Sequence, residues 1–281
     1  MSTIAYLGPA GTFSHQAAVV WGSKVGARDF WAVDNLPEVI QAVHQGKSQA
    51  AVLPLENSIE GSVSLTLDLL LEEPELRIIG EVVLEIHHCL ARRVNTSEKI
   101  QEVWSHPHAL AQCRRFLSGQ LPGARLCAAS STAEAMRIAA DREAAAAIGS
   151  PFAAALYQLY ILYEGVEDYP GNKTRFVVVG RETPDRGGPY KTSLVLALPE
   201  NRPGGLYEVL RYFAQAGINL TRIESRPTKK ELGEYLFFLD CEGHAALEPL
   251  SGVLAALKPR TALLKVLGSY PCHKEGERSY D

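Results

Sequence analysis

In the first half of this chain, short apolar strands end in polar, glycine-containing turns that lead directly into helices. The apolar residues 4–7 are followed by the turn Gly8-Pro-Ala-Gly-Thr-Phe-Ser14 and then by a helical pattern over residues 15–21. A second apolar run, residues 50–55, ends in the turn Glu56-Asn-Ser-Ile-Glu-Gly-Ser62, after which apolar residues recur at helical spacing. This alternation predicts an α/β fold, in which ligands usually bind beyond the carboxyl ends of the strands.

The length, charge and cysteine content of the chain restrict its class. Its 281 residues suffice for two or three compact lobes, and a formal net charge of −4 gives no general attraction to nucleic acid or anionic lipid. The sequence shows neither a secretion signal nor a run of about 20 apolar residues, so we expect a cytoplasmic protein without a membrane or nucleic-acid partner. The five cysteines are scattered and lack CxxC spacing, so we expect reduced, mostly buried thiols and no metal site.

A second α/β segment follows the first. Residues 78–91 have the pattern of a strand that crosses to another lobe, and the cluster His87-His88-Cys89 within it would point to alternating faces, which disfavours a metal site. The residues Ser105-His-Pro107 predict a strand end and a helix start, with His108 and Gln112 on one face of that helix. Capping of the helix would by itself explain Ser105 and His106.

Residues 171–180 place polar side chains at the entrance of a valine-rich strand. Because side chains alternate along a strand, we expect Thr174 and Phe176 on one face and Lys173 and Arg175 on the other. A hydroxyl beside an aromatic ring suits a substrate that contains a ring. The structural alternative is a strand start whose threonine satisfies a turn.

The first glycine turn also has two interpretations. Thr12 and Ser14 are suitable caps for the helix that follows, and this alone would account for them. The same turn could present backbone amides to an anion.

A domain boundary is predicted by the proline, glycine and charged residues at 182–189. Beyond it the pattern is strand, helix, strand, strand, helix and strand, which predicts a ferredoxin-like βαββαβ domain. We place a first domain at residues 1–181, with one lobe formed by about 1–80 and 170–181 and the other by 81–169. The second domain is placed at 190–271, with a loose tail at 272–281.

The order of these motifs resembles the prephenate dehydratase family over nearly the whole chain. The matching motifs are the turn at residues 8–14, Pro54-Leu-Glu-Asn-Ser58, Ser105-His-Pro107 with Gln112, and Asn172-Lys-Thr-Arg-Phe176. The second domain resembles an ACT regulatory domain, through Asn201-Arg-Pro-Gly-Gly-Leu-Tyr207 and Glu224-Ser-Arg-Pro227. The resemblance implies a two-lobed catalytic domain like the periplasmic binding proteins, with substrate between the lobes. It also implies conversion of prephenate to phenylpyruvate, water and carbon dioxide without a cofactor.

The resemblance assigns the dehydration step to Thr174. Because an alcohol titrates far from neutral pH, we interpret Thr174 as an oriented donor that relays a proton from a better acid, with a desolvated Glu56 ahead of His106. Lys173 or Arg175 and the turn amides at 12–14 and 58–62 would hold the two carboxylates of the substrate. The residues expected to bind substrate are Thr12, Ser14, Asn57, Ser58, Ser105, Gln112, Lys173, Arg175 and Phe176.

For the ACT-like domain the resemblance implies feedback inhibition by L-phenylalanine at an interface formed by self-association into a dimer or tetramer. Gly205 stands where we expect alanine in the family pattern, which bears on the fit of the ligand. The first strand begins at Ile4 with no chorismate mutase helix before it, so we expect a monofunctional enzyme. The expected effector contacts are Asn201, Pro203, Gly204, Gly205, Leu206, Asn219, Leu220, Glu224 and Ser225.

Two alternatives stay open at this point. An arogenate-preferring dehydratase differs only in acting on an amine in place of a keto group, and the sequence does not distinguish the two substrates. A two-lobed small-molecule sensor without catalysis would use the same turns, although the chain has no helix-turn-helix segment for DNA.

Overall fold

The computed structural model describes residues 3–94, 98–181, 188–228 and 234–272. Within the predicted linker, residues 182–187 lie outside the described residues, and so do residues 273–281 of the predicted tail.

The described residues form three sheets with helices between their strands. The elements up to residue 94 are β1 Thr3–Leu7, α1 Phe13–Val25, β2 Asp29–Val33, α2 Leu36–His44, β3 Ala50–Asn57, β4 Gly61–Ser62, α3 Ser64–Glu72, β5 Arg77–Glu85 and β6 Cys89–Arg92. Those between residues 98 and 181 are β7 Glu102–Ser105, α4 Pro107–Gln112, α5 Arg114–Gln120, β8 Arg125–Ala128, α6 Thr132–Ala140, β9 Ala145–Gly149, α7 Pro151–Leu156, β10 Tyr160–Glu164 and β11 Lys173–Gly180. The remainder are β12 Tyr190–Ala197, α8 Gly205–Gln215, β13 Leu220–Pro227, β14 Tyr235–Glu242, α9 Leu250–Leu257, a 3₁₀ turn Lys258–Arg260 and β15 Leu263–Pro271.

The first sheet has the strand order β2-β1-β3-β11-β5, and β4 pairs with β3. Strand β1 runs parallel to both β2 and β3, so Leu7 and Asn57 end their strands at the same edge of the sheet. The polar turns that follow these two residues therefore lie at the edge where α/β folds usually bind ligands.

The start of α1 corrects one predicted cap. Thr12 is the N-cap, because its Oγ1 accepts a hydrogen bond from the backbone N–H of His15 at 3.2 Å. Ser14 is not a cap, because the helix begins at Phe13 and Ser14 is a buried residue of its first turn, 7% exposed.

The second sheet has the order β10-β6-β9-β7-β8. Small side chains fill the space beneath it, and the buried Ala135, Met136, Ala139, Ala147 and Ala153 belong to one apolar cluster. Ser131 and Ser150 are the N-caps of α6 and α7, since Ser131 accepts from the N–H of Glu134 and Ser150 from the N–H of Ala153. The predicted second lobe is confirmed by this separate sheet.

Two segments connect the first two sheets, and one of them corrects the sequence analysis. Residues 78–91 do not form one strand, because β5 ends at Glu85 and β6 begins at Cys89 in the other sheet. Strand pairing is interrupted between β5 and β6, because the backbone N–H of His88 donates to the Glu167 carboxylate at 2.9 Å instead of to a neighbouring strand. The chain returns to the first sheet through residues 165–172.

The third sheet has the order β13-β14-β12-β15, and its strand pairs are antiparallel. Across the sheet, the second, third, first and fourth strands of the domain lie side by side in that order, which confirms the predicted ferredoxin-like arrangement. A core of buried residues from β12, β14, α8 and α9 packs against this sheet, including Leu196, Val209, Phe213, Leu239 and Leu257.

The chain forms two compact units whose limits cut through α3, β5 and β11. The first unit contains the described residues up to Thr66 together with Val82–Phe176. The second contains Leu67–Glu81 and the described residues from Val177 onward. The segment Leu67–Glu81 therefore packs with the third sheet, although it precedes that sheet by more than a hundred residues.

Several polar contacts fix Leu67–Glu81 within the second unit. Lys265 of β15 donates its ammonium protons to the carbonyls of Leu70 and Leu71 at 3.0 and 2.6 Å and also to the carbonyl of Glu73. Leu70 and Leu71 belong to the last turn of α3, whose carbonyls the helix itself leaves without donors, and Glu73 directly follows the helix.

Two further contacts hold the same segment. Arg226 of β13 pairs with Asp68 of α3, with Nη1 at 2.8 Å from Oδ1. A Cβ atom on Gly268 would lie 2.1 Å from the carbonyl oxygen of Ile78, so only glycine allows this close backbone approach.

All five cysteines are free, and Cys89, Cys113 and Cys241 are buried. Burial raises the pKa of each of these three thiols to about 12. Among the described residues, no group of three or more His, Cys, Asp or Glu side chains is placed to hold a metal ion. No helix in the described part of the chain is long and apolar enough to cross a membrane.

Candidate active site at the end of strand β3

The side chain of Asn57, the last residue of β3, contacts the hydroxyl of Thr174 on the neighbouring strand β11. Asn57 Nδ2 donates to Thr174 Oγ1 at 2.8 Å and to Asn172 Oδ1 at 2.9 Å. Its Oδ1 accepts the backbone N–H groups of Ile59 and Glu60, each at 2.9 Å. Because two N–H donors fix the oxygen, the amide orientation of Asn57 is determined by its partners.

This orientation determines what the Thr174 hydroxyl can do. A hydroxyl has one proton to donate and lone pairs to accept with, and Thr174 Oγ1 is accepting from Asn57. The proton of Thr174 is therefore directed away from Asn57 and is available to an oxygen atom of a ligand.

Asn172 and Ser58 complete the same network. Ser58 Oγ donates to Asn172 Oδ1 at 3.1 Å and accepts from the backbone N–H of Lys173 at 2.9 Å. The backbone N–H of Ser58 in turn donates to the carbonyl of Lys173 at 2.9 Å. Asn172 is 5% exposed, so this network has a buried centre that links the end of β3 to the start of β11.

The turn after β3 differs from the prediction that its amides bind a carboxylate. Residues 58–62 form a hairpin, since Gly61 and Ser62 pair with Asn57 and Glu56, and α3 begins only at Ser64. The N–H groups of Ile59 and Glu60 are already bonded to Asn57. The turn serves to orient Asn57 and does not offer these two donors to a ligand.

Both predicted cations have a carboxylate nearby. Lys173 Nζ lies 3.4 Å from Glu85 Oε1, and Arg175 Nη1 lies 4.0 Å from Glu56 Oε2. A dianionic substrate would have to share or displace these partners.

Neither predicted proton source is placed as expected. Glu56 precedes Asn57 on β3 and lies beside Arg175, whereas Asn57 lies beside Thr174, so Glu56 and Thr174 occupy opposite faces of the sheet. The Glu56 side chain is also 40% exposed, so it does not occupy the desolvated position that was expected. Burial and the neighbouring His108 lower the pKa of His106, so its protonated form is less populated at neutral pH than that of a free imidazole.

Phe176 and Ser105 are both deeply buried. Phe176 is 1% exposed, so its ring lies in the core and is not available to stack on a substrate. Ser105 is 0% exposed, and its hydroxyl donates to the carbonyl of Ile148 at 2.7 Å, joining β7 to β9. The structure does not bring these two side chains into the network around Thr174.

Gln112 and His108 of α4 reach the first lobe through Glu60. Gln112 Nε2 donates to Glu60 Oε1 at 3.3 Å, and His108 Nδ1 lies 2.9 Å from Glu60 Oε2. Glu60 thus joins the hairpin after β3 to the second lobe. No local pattern in the sequence points to Glu60 as a site residue, and Asn172 is evident there only as the first residue of the Asn172-Lys-Thr-Arg-Phe176 motif.

The first turn also contacts the second lobe. Tyr157 donates its hydroxyl to the carbonyl of Ala10 at 2.8 Å, and the ring of Phe13 lies edge-on to His88 at 5.9 Å. Among the described residues no acceptor is found for the amides of Phe13 and Ser14 at the start of α1. These two amides are the donors that the turn offers where the lobes meet.

In the ferredoxin-like domain, the residues predicted to contact an effector lie at the start of α8 and along β13. Gly204 is the N-cap of α8 with a positive φ of 79°, and Gly205 is buried, with Leu198 Cδ1 2.9 Å from where a Cβ would stand. An alanine at position 205 would therefore require Leu198 to move slightly. Glu224 is paired with Arg222 on the same face of β13.

The remaining predicted effector residues lie around these elements. Asn219 donates to Glu242 at 3.2 Å. Asn201, Pro203 and Ser225 are exposed, and Leu206 and Leu220 are half-buried.

Comparison with known proteins identifies the family to which the chain belongs. A sequence profile described as prephenate dehydratase matches residues 4–184, and a profile of the ACT domain matches residues 192–258. The prephenate dehydratase of Methanocaldococcus jannaschii is 42% identical over 273 residues, which covers 95% of this chain and 97% of that one. The chain belongs to the prephenate dehydratase family.

Solved structures agree with this assignment. The prephenate dehydratase of Arthrobacter aurescens, in complex with L-Phe, superposes with a TM-score of 0.84 at 38% identity, covering 96% of this chain and 90% of that one. A chain named GqqA and described as a novel type of quorum quenching acylase has a TM-score of 0.83 at 30% identity, covering 96% and 98%. The family, fold class and lyase chemistry predicted from the motifs are thereby confirmed.

Membership in the prephenate dehydratase family makes the chain a hydro-lyase that acts on prephenate. Within it, the Asn172–Phe176 motif of the sequence analysis coincides with the start of β11, where the Thr174 hydroxyl is oriented.

Proposed function

We propose that this chain removes water and carbon dioxide from prephenate at the network around Thr174. The observation that supports this most directly is the hydrogen bond from Asn57 to Thr174, which leaves the threonine proton for a ligand oxygen. In this reaction the electron pair of the breaking bond to the carboxylate enters the ring, and the bond to the hydroxyl oxygen breaks as the ring becomes aromatic. Thr174 donates a hydrogen bond to that leaving oxygen, which departs as hydroxide and becomes water by taking a proton from the solvent.

In this proposal Asn57, Asn172 and Ser58 position Thr174, while Lys173, Arg175 and the amides at the start of α1 attract the two carboxylates. Ser105 and Phe176 support the site from within the core. Glu56 acts as a partner of Arg175 and not as the proton source.

The experiment is a comparison of Thr174→Ala with Thr174→Ser in the purified full chain, following phenylpyruvate by its absorbance. Loss of an aimed donor typically costs about 10²–10³ in kcat, so we expect a loss of that order in the alanine variant, a smaller one in the serine variant and little change in KM. Equal turnover of the parent and Thr174→Ala would refute the role of Thr174. Absence of turnover by the parent would refute the proposed reaction and favour the sensor interpretation.

Substrate preference is tested in the same assay. We propose prephenate over arogenate because the curated relative from Methanocaldococcus jannaschii is a prephenate dehydratase. A higher kcat/KM with arogenate would reverse this choice.

We further propose that L-phenylalanine inhibits the enzyme through the ACT domain, with contacts from the Gly204–Gly205 turn and from β13, and that the chain self-associates through this domain in the cytoplasm. The L-Phe complex of the Arthrobacter aurescens relative supports the effector. Calorimetry with the full chain tests L-phenylalanine binding, and analytical ultracentrifugation tests self-association, where a monomer at micromolar concentration would contradict the assembly.

A further inference from the structure

The ion pair between Asp68 and Arg226 lies between two motifs of different function. Arg226 directly follows Ser225 in the Glu224-Ser-Arg-Pro227 motif of β13, where we propose that the effector binds. Asp68 lies on α3, the helix that follows the hairpin orienting Asn57. The two residues are 158 positions apart in the chain.

The Asp68–Arg226 ion pair is bidentate and partly buried. Arg226 uses two nitrogens, with Nη1 at 2.8 Å from Asp68 Oδ1 and Nη2 at 3.5 Å from Oδ2. The side chains are 14% and 23% exposed, so solvent screens the pair less than an ion pair at the surface. A forked guanidinium–carboxylate contact also fixes direction as well as distance.

Helix α3 is attached at both ends. At its C-terminal end, Lys265 of β15 donates to the carbonyls of Leu70, Leu71 and Glu73. At its N-terminal end, the helix begins at Ser64, two residues after the Gly61–Ser62 strand that pairs with Glu56 and Asn57. A helix with nine residues is stiff over this length, so a shift of Asp68 is transmitted along it.

We propose that the Asp68–Arg226 pair couples effector binding on β13 to the orientation of Asn57 and hence of Thr174. This inference rests on the proposed function, because it assigns a route to the inhibition by L-phenylalanine. A ligand that displaces Arg226 or tightens β13 moves α3, and the hairpin before α3 changes the hydrogen bond from Asn57 to Thr174. Binding at one site can influence the other only through such a difference between two states.

The test compares Asp68→Asn with Glu75→Gln in the full chain. Asp68→Asn keeps the size of the side chain and removes its charge. Glu75→Gln is the matched control, because Glu75 also pairs with an arginine of the second unit, Arg181 at 3.1 Å, but not with β13. Four quantities are measured for each protein: kcat and KM for prephenate, the Kd of L-phenylalanine by calorimetry, and the concentration of L-phenylalanine that halves activity.

For Asp68→Asn we expect basal kcat and the Kd of L-phenylalanine within about threefold of the parent, and a rise of roughly tenfold or more in the half-inhibitory concentration, a coupling of ordinary size for allosteric proteins. The conservative variant Asp68→Glu should recover part of the inhibition, and Glu75→Gln should behave as the parent.

Full inhibition of Asp68→Asn at the parent concentration, with L-phenylalanine still bound, would overturn the coupling alone. Absence of L-phenylalanine binding to the parent would overturn it together with the effector part of the proposed function, while leaving the dehydratase reaction itself unaffected.

Discussion

At the scale of single residues, the orientation of one amide determines the chemistry available at the site. Asn57 directs its oxygen to two backbone amides and its nitrogen to Thr174 and Asn172. In these four contacts the Asn57 nitrogen is the donor and the Asn57 oxygen is the acceptor. A residue of the same shape but different donor pattern would therefore change the function of Thr174 without changing the fold.

Asn57→Asp makes this change. The aspartate keeps the oxygen that accepts from Ile59 and Glu60 but replaces the donor by an acceptor, so Thr174 would turn its proton toward residue 57. We expect kcat to fall about 10²-fold, as for loss of one aimed donor, with a melting temperature close to that of the parent. Asn35→Asp provides the control, since the side-chain oxygen of Asn35 also accepts a backbone N–H, at the start of α2. An equal loss of kcat in both variants would contradict the role assigned to Asn57.

His15 gives the first lobe a pH dependence of known sign. Burial lowers the pKa of His15, and its Nδ1 accepts the N–H of Gly11 at 3.1 Å, so the folded protein holds the neutral ring. Because the unfolded chain binds the proton more readily, the stability that His15 contributes is present above its ordinary pKa of 6.5 and is lost as pH falls below it. We expect a lower melting temperature at pH 5.5 than at pH 7.5.

His15→Asn isolates this contribution, because the asparagine oxygen can take the place of Nδ1 and does not titrate. The difference in melting temperature between the two pH values should be smaller in this variant. An unchanged difference would assign the acid sensitivity to other groups.

The strand that holds Thr174 was predictable from the sequence, because the alternation of faces and the family motif are both local properties. Two features were not predictable from the sequence. Asn57 accepts the backbone N–H groups of its own hairpin, and Glu56 and Thr174 lie on opposite faces of the sheet. Both depend on the pairing of β3 with β11, whose residues are 117 positions apart in the Asn57–Thr174 contact. Such register is a property of the folded sheet.

At the scale of elements, α3 depends on a cap that its own sequence does not supply. Its last carbonyls accept protons from Lys265 of β15, almost two hundred residues later. Burial, followed by the nearby Arg77, lowers the pKa of Lys265, which is the cost of holding an ammonium group at this position. The helix was predicted from apolar spacing, whereas its cap was not, because long-range partners leave no local pattern.

Lys265→Met removes the cap and keeps the apolar stem. Unpaired buried carbonyls each cost about 1–3 kcal/mol, and some will find water, so we expect a loss of about 2 kcal/mol in the free energy of unfolding. This corresponds to roughly 4–8 °C in melting temperature for a chain of this size. The control Lys191→Met removes the ion pair with Glu81 in the same unit and leaves α3 capped; unchanged stability of Lys265→Met would show that the cap contributes little.

At the scale of the whole molecule, the boundary between the two sequence domains differs from the boundary between the two compact units. The dehydratase profile covers residues 4–184, yet Leu67–Glu81 within it packs in the unit that contains the third sheet. Composition places a linker between residues 182 and 189, and composition cannot reveal that an earlier segment packs beyond it. The ferredoxin-like order was predictable because its six elements are consecutive, whereas the docking of α3 and β5 was not.

A chain ending at Arg181 should therefore fold incompletely. It keeps α3 and β5 but lacks Lys265, Arg226 and the backbone of Gly268 that lies against Ile78. We expect lower solubility, binding of a hydrophobic dye and faster proteolysis within residues 67–81 than in the full chain. A truncated chain with the melting temperature of the parent would show that the third sheet is dispensable for the first part.

The glycine at position 268 also limits how such enzymes can be recombined. Because its backbone lies against Ile78 at a distance that excludes any side chain, an ACT domain grafted from another protein would need a glycine at this point of its fourth strand, a lysine three residues earlier and an arginine facing α3. Exchange of regulatory domains at the linker alone would transfer a binding site without its attachment. A functional chimera has to carry residues 67–81 from the same parent as the domain they contact.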